Sequence, residues 1–190
     1  MPDIDWPEVE HKLVDLTRFE VRRFLEDKRD EKFYGFGFAC NAFYGEVLLY
    51  ANTSDALRAS AERSRSDYPD LNRYAGKSLA EVEDVLRWEM GDWKYDGFNA
   101  LSEEWADGWE EWQMSFQKLL EGLYDGDEEE KAGALEQEFL EMCCRALIRL
   151  EKQPEFIALP KDANFRTVCD NHDEAESDGE ARLSRIRSGG

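Results

Sequence analysis

The 190-residue chain is predicted to fold as a single α+β domain, a small antiparallel sheet packed with helices. A hairpin over residues 33–51 leads the sheet, late strands join it, and a long C-terminal helix pair covers it. Three observations predict this. The hydrophobic period changes from about 3.6 to 2 at Phe33 and back after Ala51. Two long amphipathic stretches follow, over 100–124 and 128–151. The length suits one domain that buries roughly 70% of its unfolded surface, and 42% hydrophobic residues are enough to fill a core.

Residues 5–29 carry Val9, Leu13, Leu16, Val21 and Phe24 near helical spacing, with Asp5, Pro7 and Glu8 as N-terminal capping chemistry. From Phe33, strict alternation puts Tyr34, Phe36, Phe38 and Cys40 on one face and Phe33, Gly35, Gly37 and Ala39 on the other. Two glycines on one face predict a close neighbour there, expected to be a helix. After a turn near Asn41, residues 44–51 form the antiparallel partner strand. Asn52, Thr53 and Ser54 cap a helix over 55–67 that turns Ala56, Leu57 and Ala61 inward.

Residues 67–78 are rich in turn formers, and Ser78 with Glu81 signals a capping box before a short helix. The segment WKYDGF, 93–98, predicts a third strand. Leu101, Trp105, Trp109 or Gly108, Trp112, Phe116, Leu119, Leu120 and Leu123 trace one stripe of the first long helix. Leu135, Phe139, Met142, Ala146 and Leu150 trace the second, which Pro154 stops. EFIALP, 155–160, reads as a late edge strand. Apolar residues thin out from Asp170 onward, so residues 1–169 are expected to form the compact domain and 170–190 a mobile polar tail.

Charge bounds the function. The 44 acidic against 24 basic residues and the net charge of −20 argue against unaided binding to nucleic acid phosphates or an anionic membrane. Residues 100–141 alone hold 14 acidic and 2 basic residues. Glu103, Glu104, Asp107, Glu110 and Glu111 fall on the outer face of the first long helix, and Asp125, Asp127 and Glu128 fall in the turn that follows. Like charges at helical neighbour spacing repel one another. A docking surface for a basic protein is one reading of that excess, and a solvated face that keeps the protein in solution is the other. Trp93 and Tyr95, in a turn-rich stretch, are candidate aromatic anchors for the same partner, with packing on the sheet, which suits half-buried aromatics, as the favoured other reading. Two alternatives stay open: a small-ligand or enzymatic pocket made by the 88–98 aromatics against the hairpin, and a nucleic acid mimic with carboxylates spaced like phosphates.

No constellation points to catalysis. The two histidines, His11 and His172, are poorly placed for a nucleophile and base pair. Cys169 and His172 with Cys143 and Cys144 are soft or borderline ligands, but adjacent helical cysteines diverge by about 100°, so no metal is expected. Asp125, Asp127, Glu129 and Glu136 imitate part of a calcium loop, yet Glu130 stands where the turn needs glycine. No phosphate loop or dinucleotide fingerprint occurs, and no cofactor or catalytic residue is expected. Four cysteines without a paired framework suit a reducing compartment. The absence of a long apolar run and of a signal-peptide pattern at the start makes the cytoplasm the expected location.

The order of a leading helix, FYGFGFACNAFYGEVLLYANTSDAL, RWEMGDWKYDGFNALSEEW, a long helix and EFIALPKDANFRTVCDNHDE resembles a bacterial family catalogued as domain of unknown function 4303, over most of residues 5–174. The resemblance implies a compact α+β domain and brings no catalytic motif. Relatives of this sort look like small acidic immunity proteins encoded beside polymorphic toxins. The expected function is therefore a non-enzymatic acidic binding protein that masks the active site of a toxin such as a basic nuclease.

Overall fold

The computed structural model describes residues 4–172 and 174–189. Its elements are α1 (Trp6–Glu26), β1 (Phe33–Asn41), β2 (Glu46–Thr53), α2 (Ser54–Asp67), α3 (Leu79–Leu86), a 3-10 turn (Met90–Asp92), α4 (Glu103–Asp125), α5 (Glu129–Leu150), α6 (Pro154–Ile157), β3 (Lys161–Asn171) and α7 (Glu176–Ser188). The class is α+β in one domain. The sheet is mixed, whereas an antiparallel one was expected: its order is β2-β1-β3, with β1 antiparallel to β2 and parallel to β3. No helix among the described residues is long and apolar enough to cross a membrane.

Local chemistry sets the helix starts. Asp5 Oδ1 accepts from Glu8 N at 3.1 Å, and Ser78 and Glu81 form the reciprocal capping box. Ser102 Oγ accepts from Trp105 N at 3.3 Å, so α4 begins after Leu101. That start corrects one expectation: Leu101 lies before the helical period and is 98% exposed. The rest of the stripe turns inward, with Trp105, Trp109, Phe116, Leu120 and Leu123 buried, and all five stripe residues of α5 are buried.

The two faces of β1 are opposite in character. Phe33, Phe36, Phe38 and Cys40 pack with Val47 and Leu49 of β2 against α1, α4 and α5. Tyr34 points the other way, into a cluster with Leu57, Val82, Leu86, Met90, Trp93 and Val168. Strict alternation placed Tyr34 with Phe36. A register irregularity between Phe33 and Gly35 shifts the period by one residue and exchanges Phe33 with Tyr34. The glycine face meets Trp93 and the 3-10 turn, where a helix was expected. A methyl at Gly35 would lie 2.6 Å from Trp93 Cη2, and one at Gly37 would lie 2.6 Å from Met90 Sδ.

Residues 93–98 make a single bridge, Ala51 to Tyr95, where a third strand was expected. The chain then turns at Asp96-Gly97, and a side-chain amide continues the edge. Asn99, fully buried, accepts from Leu49 N at 2.7 Å and donates from Nδ2 to Val47 O at 3.0 Å. The expected strand at 155–160 is instead α6, because Pro154 is pre-organised for a first helical turn; the strand that joins the sheet comes later, as β3. The predicted tail is replaced by α7 packed on β3 and α5. It docks through Leu183, through the buried Arg182 paired with Glu174, and through Gly179, where a methyl would lie 2.8 Å from Cys169 O. A polar composition conceals such a helix, since Leu183 and Ile186 are the apolar side chains it packs against the core and the rest is a close approach and ion pairing. Asp173, part of the quoted closing segment, lies outside the described residues.

Candidate protein-interaction surface

Because α4 buries its tryptophan stripe, its acidic positions are forced outward. Glu103, Glu104, Asp107, Glu110, Glu111, Asp125 and Asp127 are all exposed, and Glu128 is half-buried and pairs with Lys131. Among the described residues, none of the first seven takes part in an ion pair. Carboxylates further along α5 are already engaged: Glu136 accepts from Tyr124 Oη at 2.9 Å, Glu138 from Trp6 Nε1 at 2.7 Å, and Glu141 pairs with Arg185 at 2.8 Å. On this side of the molecule the unpaired carboxylates therefore run along α4, through the turn after it and onto Glu129 and Glu130 at the start of α5.

At the α4 N-terminus, Glu20 of α1 is 1% exposed. The Ser102 hydroxyl donates to its Oε1, and Arg23 pairs with its Oε2 at 2.7 Å. Burial pushes this carboxyl above its usual range, and nearby Glu104 adds to the rise, against the opposing Ser102 bond and Arg23. Glu20 anchors the helix start and is hidden from a partner.

The two aromatic candidates fall elsewhere. Trp93 is 4% exposed, its Nε1 donating to Arg87 O at 3.0 Å, and it sits on the sheet face opposite α4. It is a core residue and offers no exposed anchor. Tyr95 is half-buried and donates to Glu31 Oε1 at 2.5 Å. Exposed apolar groups do occur beside the acidic face, at residues the sequence reading did not select: Leu101, Met114 and Tyr124. Phe43 of the hairpin turn packs on Tyr124 and on exposed Tyr44, with ring centroids 5.8 and 5.0 Å away. The signal for Met114 was present, since it falls outside the buried stripe; the Tyr124 contact depends on the hairpin reaching α4.

The aromatic pocket expected at 88–98 is filled by its own rings. Tyr34 lies 5.4 Å from Trp88 and 5.9 Å from Trp93, and the two tryptophans are 6.3 Å apart. A cavity of about 1210 Å³ lies on the outer side of Trp93, but its lining is mostly polar and comes from α2 and the loops at 30–32 and 91–96.

All four cysteines converge between the sheet and α5. Cys40 Sγ lies 4.0 Å from Cys169 Sγ, and Cys143 and Cys144 of α5 are buried in the same core as free thiols. Every one is buried, and burial pushes the Cys143 thiol up to about 11. No group among the described residues is arranged to hold a metal ion. His11 is exposed, 3.4 Å from Asp15. The His172 backbone donates to Cys40 O at 2.7 Å.

A family model described as "Domain of unknown function (DUF4303)" matches residues 13–186. No curated protein and no solved structure matches the chain.

Proposed function

This chain belongs to the family described as Domain of unknown function (DUF4303), a description that names no activity, and we propose that it is a non-enzymatic binding protein whose α4 face covers the cationic active-site cleft of a basic protein. The inhibitory mode would be that of a bacterial immunity protein acting in the cytoplasm on a toxin such as a nuclease. The observation that carries this reading is the row of exposed carboxylates on α4 and its exit turn, left without an ion pair among the described residues while the arginines of α1, α5 and α7 pair elsewhere. Such a field accelerates encounter with a positive patch and fixes orientation, and affinity comes from a few desolvated anchors. Leu101, Met114, Tyr124 and Tyr44 take the anchor role proposed from sequence for Trp93 and Tyr95.

The test begins with isolation of the bound partner from the native host. Stopped-flow association is then measured across 20–500 mM salt, for the wild type and for a variant with Glu103, Asp107, Glu110 and Glu111 changed to their amides. The expected result is a rate that falls steeply with salt and is reduced about tenfold or more in the variant at low salt. A rate indifferent to both salt and substitution overturns the proposal.

A further inference from the structure

A groove on the other side of the sheet from α4 has the features of a second recognition site. It runs between the outer face of α2, the connection from α1 to β1, and the 91–96 segment, with a volume of about 1210 Å³. That exceeds the roughly 300–1,000 Å³ of pockets that enclose a small molecule, and it suits a length of peptide chain. Toward it α2 presents Ala56, Ala59, Ser60 and Ser64. These short side chains let a ligand backbone approach the helix closely and offer hydroxyls to its polar groups.

The charge of the walls selects the occupant. Asp30, Asp55, Asp67, Asp92 and Asp96 line the groove, and none takes part in an ion pair among the described residues. Asp162 is already satisfied, accepting from the Ser54 hydroxyl at 2.9 Å and from Asn164 N at 2.8 Å. Of the three cations in the lining, Lys94 is held by Glu31 at 2.9 Å, leaving Lys32 and Arg63 against five free carboxylates. Burial, with Glu89 adding, pushes the Asp92 carboxyl above its usual range against the pull of Arg73 and Arg63, so a further cation placed there would favour its charged form. Exposed Tyr68 adds aromatic surface for a cationic side chain to cover.

We propose that this groove receives an extended peptide segment bearing lysine or arginine side chains, its backbone lying along the Ala-Ser face of α2 and its cations reaching the aspartates of both walls. This site does not rest on the α4 reading, because it uses different residues and a different face of the sheet.

The probe is a synthetic peptide, acetyl-Gly-Arg-Gly-Lys-Gly-Arg-Gly-amide, titrated into the full chain in 150 mM salt and followed by backbone amide NMR shifts. The expected result is saturable shifts at Ala56, Ala59, Ser60, Ser64, Gly91 and Lys94. Changing Asp55, Asp92 and Asp96 together to asparagine should weaken binding about tenfold or more, given up to about 1 kcal/mol per exposed pair, and Ser60→Trp should block it by filling the groove. The α4 amide variant should bind the peptide as the wild type does, which separates failure here from failure of the α4 proposal. Shifts spread over α4, insensitivity to the groove substitutions, no binding at millimolar peptide, or equal affinity for spermine at the same amides would each overturn the assignment.

Discussion

The α4 face and the α1, α5 and α7 side of the molecule are built from the same charged residue types and use them in opposite ways. On the helical side, carboxylates bind elements together. Glu10 of α1 accepts from Arg145 and Arg149 of α5, each at 3.0 Å, Glu155 of α6 accepts from Arg18 at 3.0 Å and Arg22 at 2.6 Å, and Glu174 pairs with the buried Arg182. The Arg pair holds the Glu155 carboxyl down at about 2, Arg18 contributing most. On α4 the carboxylates form no ion pair among the described residues. The lesson is that the net charge of −20 is not spread evenly: where the fold needs charge for cohesion it is neutralised locally, and α4 is one of the surfaces where a surplus is left that packing does not use.

The comparison can be broken most forcefully at Arg182. Arg182→Met leaves Glu174 with no cation, 13% exposed in its side chain, beside α7. Urea denaturation should show a loss of about 3–5 kcal/mol, the usual cost of orphaning a buried charge. A loss below about 1 kcal/mol would mean that the pair does not hold α7 down.

Asp170 gives the next effect. It lies on β3, and α7 approaches so closely that a methyl at Gly179 would meet its carboxyl. Burial first, then Glu174 and Glu176, push it up to about 7, against the pull of Arg182 and Arg166. The folded protein therefore holds this proton more tightly than the unfolded chain, whose Asp titrates near about 3.9. The group's contribution to stability falls as pH rises between those values, and above about pH 7 it reaches a destabilisation of about 2–4 kcal/mol. Comparing Asp170→Asn with the wild type at pH 5 and pH 8 isolates it: the variant should gain relative stability at pH 8. An unchanged difference at the two pH values would refute the assignment.

Glu10→Gln tests a cross-helix tie at the surface side of α1. It removes charge from two contacts to half-exposed arginines and should cost about 1–2 kcal/mol by the same denaturation assay. The smallest effect is expected on α4, where the four-amide variant should change stability by within about 0.5 kcal/mol per site, toward a gain, because repulsion is relieved and no bond is lost. A marked destabilisation there would show that these carboxylates serve the fold.

Much of the architecture was legible because it is written in periods and caps. The α4 and α5 stripes, the Ser78 box and the β1–β2 hairpin all follow from local pattern. What escaped was set by contacts distant in sequence. The bulge at Phe33–Gly35 that exchanges the faces of Phe33 and Tyr34 has no composition signature. The parallel partner β3 lies far from β1 in sequence, and the docking of α7 uses Gly179 and a buried ion pair, which a hydropathy reading scores as polar. The outer face of α4 was readable for a physical reason, since a helix with a strong inner stripe dictates its outer positions. Trp93 was misplaced because a turn-rich setting does not reveal that two glycines on a neighbouring strand make room for an indole.

The meeting of Cys40, Cys143, Cys144 and Cys169 in the centre of the protein also supplies an internal clock for breathing motions. Two strands and a helix must separate before any sulfur meets solvent, so the rate at which a maleimide or disulfide reagent labels the native chain reports how often the sheet and α5 part company. The order in which the four sulfurs react would then show whether the molecule opens first at the α7 edge or as a whole.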